Sequence, residues 1–245
     1  MNYDEYHFTK VEIVKYVAIY CAITLLLSYM FYDSLKPFIL LTPCILLFLK
    51  RIEKNICENR KMILKNQFCE MIGSLSTIIS AGISVDNAFA ECHRDMKKLY
   101  GEDSLIALEI EYICEGQKIN KSIDNMLIDF AYRSGDEDIK DFFDIFCEAR
   151  ISGGNLTDII KKTVTNIKEK KNIEDEIAAM LKGKQLEQKV MSAVPLIIIM
   201  FLKITSSDFM NSLYHNLFGY IVMSVCLILY ILAFLLSEKI ANIRV

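Results

Sequence analysis

Charged and apolar residues are segregated along this chain, and that segregation limits its possible folds more than any motif does. Four stretches carry no Asp, Glu, Lys or Arg: Tyr16–Tyr32, Pro37–Leu49, Val190–Leu202 and Leu217–Leu236. The rest is rich in charge, so 245 residues combine 53% hydrophobic and 24% charged content with a mean hydropathy of +0.30. The first and last stretches approach the roughly 20 residues that cross a bilayer as helix. The middle two have 13 residues each, between Lys36 and Lys50 and between Lys189 and Lys203. Lysine stems reaching the interface, with adjoining helical turns, extend these two to spanning length. The four are read as two transmembrane hairpins, residues 1–52 and 190–245, flanking a central domain at 53–189.

Basic residues set the orientation. Lys50, Arg51, Lys54, Arg60, Lys61 and Lys65 follow the second stretch, and Lys182, Lys184 and Lys189 precede the third. The two expected external loops hold only Lys36 and Lys203. The central domain and both termini are therefore expected in the cytoplasm. Tyr3–Glu12 carries three acids and no small-residue cleavage site follows, which is unlike a cleaved signal peptide. A net charge of −3 offers no basic field for nucleic acid.

The central domain reads as helix throughout. The three prolines, Pro37, Pro43 and Pro195, all lie in or beside apolar stretches. Glycine supplies the punctuation instead, at Gly82, Gly101, Gly116, Gly135 and the pair Gly153-Gly154. Five breaks predict six helices. Leu64, Phe68, Met71, Ile72 and Leu75 share one helical face, as do Val85, Ala88, Phe89, Cys92 and Met96. Ile123, Met126, Leu127 and Phe130 form a third stripe, Ile139, Phe142, Phe143 and Phe146 a fourth, and Leu156, Ile159, Ile160, Val164 and Ile167 a fifth. No run alternates with period two, so the fold class is all-α: four transmembrane helices and a cytoplasmic six-helix antiparallel bundle. Three corners share a pattern of glycine, a polar N-cap (Ser84, Asn120 or Asn155) and an apolar residue. After Asn155 the sixth helix has no clear stop before the third apolar stretch.

Chemistry is harder to find. Eight cysteines include no CxxC pair, and the three histidines are scattered, so neither a disulfide framework nor a zinc site is expected. GQKINKS at Gly116 lacks the glycine before lysine that a phosphate loop needs, and it follows helix rather than strand. Counting an EF-hand from Asp136 puts Lys140 at position five and Cys147 at twelve, where oxygen ligands belong. Asp136 and Asp138 suit the positive end of a helix better. The apolar stretches hold none of the ionisable groups that intramembrane proteases and ion-coupled transporters use. No catalytic, cofactor-binding or metal residue is expected. A membrane-bound enzyme or ion-coupled transporter with a helical cytoplasmic domain is the alternative reading.

Certain residues nonetheless resemble a known family. Gly82, Ser84 and Ala88 come in order, then Gly116, Ala131-x-Arg133, Gly153-Gly154-Asn155-Leu156, Ile167-Lys168-Glu169-Lys170, and Pro195 in the third apolar stretch. Over roughly residues 60–245 this order resembles the type II secretion system F domain, most closely the TadB/TadC platform proteins of tight-adherence (Flp) pili. Lys168 and Lys170 stand where that family often has arginines, without the bidentate fork of a guanidinium. The resemblance implies a multi-pass platform in the bacterial cytoplasmic (inner) membrane, coupling a cytoplasmic pilus-assembly ATPase to pilin extrusion and partnered by a second F-type platform protein or by itself. It also implies that Gly153-Gly154 forms a close corner between the last two helices of the domain, with a left-handed turn. Candidate partner-binding residues are Glu91, Arg94, Arg133, Lys168 and Lys170, taken as exposed charges near helix corners.

Overall fold

Apolar residues spaced three and four apart, in a region without proline, can be buried together only by helix. The computed structural model describes residues 3, 8, 10–34, 38, 42, 45–152, 156–206, 214 and 216–241. Among them are eight helices and no strand, as the sequence predicts: α1 (Lys10–Tyr32), α2 (Ile45–Ser80), α3 (Val85–Tyr100), α4 (Leu105–Lys118), α5 (Ile123–Ser134), α6 (Glu137–Ser152), α7 (Leu156–Thr205) and α8 (Leu217–Ala241). Two compact units divide the chain. The first takes Met1–His7 and Ile52–Asn172, the second Phe8–Arg51 and Ile173–Val245. The division falls after Asn172, so residues 173–189 group with the second unit.

The first unit is built on phenylalanine. Phe68 of α2 is fully buried, with the rings of Phe142 and Phe143 at 5.5 and 5.6 Å and that of Phe130 at 6.5 Å, all edge-on. Edge-to-face contacts let each ring's positive rim meet its neighbour's negative face. Leu64, Met71, Ile72, Leu75, Ala88, Phe89, Cys92, Met96, Ile123, Met126, Leu127, Ile139, Phe146, Ile160, Val164 and Ile167 complete the core, so these members of the predicted stripes face inward. α4 adds Ile106, Ile110 and Ile113.

Helix ends depart from the sequence reading in two places. Gly116 does not break a helix; it lies inside α4, and the left-handed residue is Asn120, at φ 59°. Asn120 is therefore no N-cap: Ser122 takes that position for α5. Gly116 serves close packing, because a Cβ there would collide with the Met126 sulfur. The N-terminus of α4 is satisfied from another helix, since the Ile106 N–H donates to Gln67 Oε1 of α2 at 3.1 Å. Gly135 ends α5 in the left-handed region, which a residue without a Cβ adopts at least cost. The corner at Gly153, Gly154 and Asn155 lies outside the described residues.

Among the described residues of the second unit, three helices are long and apolar enough to cross a membrane: α1, the apolar part of α7 and Phe218–Ser237 of α8. Residues 37, 39–41, 43 and 44 of the second apolar stretch lie outside the described residues, and its end, Ile45–Leu49, opens α2. Met30, Phe31, Tyr214, Met223 and Leu227 form the core of this unit. Polar groups tie it where the apolar runs stop. Lys203 Nζ donates to Asp33 Oδ1 at 2.6 Å and to the Tyr29 carbonyl at 3.0 Å, and it sits 3.4 Å from the Tyr29 ring centroid. The Tyr214 hydroxyl donates to the Met30 carbonyl at 2.6 Å, and Tyr32 and Ser224 share a hydrogen bond at 2.8 Å. α7 runs 50 residues through Pro195, about 75 Å at the usual helical rise.

Candidate functional site

Three groups of charged side chains in the first unit each join residues from more than one helix. At the start of α6, Asp136 caps the helix, its Oδ1 accepting the N–H groups of Asp138 and Ile139 at 2.9 and 3.2 Å. Asp138 points the other way and holds two cations, Lys65 of α2 at 2.8 Å and Lys170 of α7 at 2.6 Å. Burial disfavours the charge on Asp138, but hydrogen bonds and attraction from Lys170 and Lys65 outweigh it and hold the carboxyl below its ordinary range. The acids that could suggest calcium are thus a cap and the centre of an ion-pair triad.

A second cluster lies between α4 and α5. Glu109 is 4% exposed, and Arg133 grips it through both guanidinium nitrogens, Nη1 to Oε1 and Nη2 to Oε2, each at 2.7 Å. Arg133 Nε reaches Asp129 Oδ2 at 2.8 Å, and the guanidinium lies 5.8 Å from the Tyr112 ring centre. The hydrogen bonding of Arg133 to Glu109 leads the forces that raise the Arg133 pKa above its ordinary value, against the opposing effect of burial. The expectation of an exposed Arg133 is therefore wrong. Its partner is 24 residues away, beyond what helical spacing reveals. Glu109 went unnoticed in the sequence, although a signal exists: it sits within the apolar stripe of Ile106, Ile110 and Ile113, where an acid needs a partner.

The third place is a cleft of about 480 Å³ lined by Glu70, Gly73, Ser74, Thr77, Asp95, Lys98 and Lys168, among others. A Cβ at residue 73 would stand 2.6 Å from Lys168 Nζ, so the absence of a side chain there gives the ammonium its room. Across the cleft, the Ser74 hydroxyl donates to Asp95 at 2.9 Å. Of the sequence-predicted charges, Lys168 lines this cleft, Lys170 belongs to the Asp138 triad, and Arg133 to the Glu109 cluster. Glu91 and Arg94 pair with each other at 2.8 Å on the solvent side of α3. Ser84 precedes α3 in extended conformation without a side-chain cap, and Ala88 packs in the core.

Two of these places hold ion pairs, and the cleft holds the Ser74–Asp95 hydrogen bond. Burial pushes the Cys92 thiol up to about 12. Burial and the neighbouring Asp124 carboxylate do the same for Cys147, so neither supplies a thiolate near neutrality. Among the described residues no three His, Cys, Asp or Glu side chains are placed to hold a metal ion.

The family profile described as Type II secretion system (T2SS), protein F matches residues 71–202, a span that begins in α2 and ends near the end of α7. The chain belongs to the type II secretion system protein F family. Proteins of this family are membrane platform proteins that typically work with secretion or pilus ATPases and oligomerise. Membership and the three apolar helices make this chain a platform-like protein of the inner membrane. No curated protein and no solved structure matches it. The matched span includes both cleft-lining Lys168 and the Asp138 triad's Lys170.

Proposed function

We propose that this chain is a platform protein of a tight-adherence (Flp) pilus machine, of the TadB/TadC kind, that couples a cytoplasmic assembly ATPase to the extrusion of pilin subunits. It spans the membrane four times, with residues 53–189 and both termini in the cytoplasm as a six-helix bundle between two hairpins. It acts beside a second F-type platform protein or a copy of itself. The observation that carries this reading is α7. One helix contains the core positions Ile160, Val164 and Ile167 and also the apolar run Val190–Leu202. A displacement applied to the bundle is passed along that helix toward the bilayer without a hinge at a loop.

The motor contact is assigned to exposed charge on α3 and to the Lys168 cleft, and no longer to Arg133, whose charge is spent on Glu109. Exchanging Glu91→Arg together with Arg94→Glu keeps the local ion pair but inverts its pattern, and Lys168→Glu inverts the cleft. Surface changes of this kind cost about 0.5 kcal/mol or less each, so folding and membrane insertion persist. The test is recovery of co-expressed assembly ATPase on the full-length platform from detergent-solubilised membranes. The triple variant is expected to recover at least about tenfold less, equal to a binding loss of about 1.4 kcal/mol. Undiminished recovery with intact piliation overturns this surface as the motor contact.

A further inference from the structure

Tyr3 stands 106 residues from Glu109 in sequence, yet it is 2% exposed and donates its hydroxyl to Glu109 Oε1 at 2.7 Å. Its ring packs with the core of the first unit. The pocket that receives it is built on both sides. Glu109 is fixed by two bonds from Arg133, Arg133 is fixed in turn by Asp129, and Tyr112 closes the guanidinium's open face. A buried carboxylate so held still has lone pairs to offer, and a phenolic hydroxyl is a donor of matching reach. Burial, and the charge of Glu109, raise the Tyr3 pKa, so the group stays protonated and able to donate. Beside it a cleft of about 490 Å³ remains, lined by Leu108, Glu109, Tyr112, Asp129 and Arg133. Tyrosine and arginine around a desolvated centre are the residue types that dominate binding surfaces.

We propose that the pocket between α4 and α5 is a binding site for a tyrosine side chain, and that Tyr3 of the same chain is its resident, exchangeable occupant. The ring fills the apolar wall and the hydroxyl satisfies Glu109, so the site selects tyrosine over phenylalanine. Because the occupant is tethered, it competes with any free ligand at high effective concentration. Departure of Tyr3 uncovers Glu109 and Arg133 next to the open cleft. The surface is thereby held shut by the chain's own residue until a segment bearing the same group replaces it.

The test uses full-length protein in detergent and a fluorescent peptide of residues 1–9, MNYDEYHFT. Tyr3→Ala protein is expected to bind the peptide saturably and at least about tenfold more tightly than wild type, which competes in cis. The same peptide with phenylalanine in place of Tyr3 is expected to bind at least about tenfold more weakly, for loss of a hydrogen bond to a charged acceptor. Equal binding to both proteins, absence of binding to either, or indifference to the hydroxyl overturns the site. Tyr3→Phe in the full chain gives a second measurement in case Tyr3→Ala misfolds. Hydrogen exchange should quicken at least about threefold in α4 and α5 while α3 is unchanged, since local opening follows lost local contacts. Unaltered exchange in α4 and α5 overturns the site as well.

Discussion

Asp138 binds lysines from two helices while its own backbone N–H is held by Asp136, so three elements meet at one carboxylate. Its side chain is 12% exposed, which makes the triad more than a surface pair. The folded pKa is depressed, so the triad's stabilisation is fully present above the unfolded value of about 4 and is lost as pH falls through the folded one. Helicity of the full-length protein in urea, followed from pH 6 downward, should show a loss of stability in that acid window. Asp138→Asn should be less stable at pH 7 by about 1–3 kcal/mol and lack this share of the acid slope. An Asn variant with the wild-type slope removes Asp138 as the cause. Such pairings mark the limit of reading single residues. Arg133 and Lys170 are recognisable as charges near corners, but their partners Glu109 and Asp138 sit 24 and 32 positions away. Helical periodicity carries no information at that distance. Glu109 alone was within reach, as an acid among the isoleucines of α4.

At the scale of elements, α4 and α5 approach closely because Gly116 faces Met126. Alanine at 116 gains about 1 kcal/mol of helix propensity but forces the 5%-exposed Met126 to move within a filled core, which typically costs about 1–3 kcal/mol. Gly116→Ala should therefore lower the opening free energy of α4 measured by native-state hydrogen exchange. In a cycle with Met126→Ala the two changes should couple favourably by about 0.5–3 kcal/mol, since the shorter side chain vacates the space. Strict additivity would show that the two helices do not meet there. The stripes of α2, α3, α5 and α6 were legible because burial repeats at the helical period. The end of α4 was not. Glycine serves a turn or a close approach equally well, and only the neighbouring Met126 decides between them.

For the whole molecule, the proposed function requires the first unit to lie on the cytoplasmic side of the bilayer. Native thiols report this poorly, since Cys92 is buried with its thiol pushed up to about 12, and Cys147 is buried as well. Ile151 is 79% exposed near the end of α6, so Ile151→Cys places a thiol where reagent can reach it. If the lysine and arginine asymmetry orients the chain, a membrane-impermeant maleimide should leave this cysteine unlabelled in sealed cells and label it after permeabilisation. Labelling of sealed cells inverts the topology. Segregated charge made the membrane character and the helical centre readable together. The division into units was less so, because the polar half of α7 looks alike on both sides of Asn172.

The interleaving of the two units along the chain has a consequence for biogenesis. Phe8–Arg51 emerges from the ribosome first, but the other half of its unit begins only at Ile173. Between them lie the 121 residues of 52–172. At about 5–20 residues per second, the segment ending at Arg51 waits roughly 6–24 s before translation reaches Ile173. Tyr3 waits as well, until Glu109 and Arg133 have been made. The helices in between also wait, but for less of the chain, since Phe68 of α2 meets Phe142 and Phe143 only once α6 has been made. Synthesis therefore makes the centre before the membrane unit is complete, and α1 with the start of α2, joined at Tyr20 and Phe48, waits for its remaining partners.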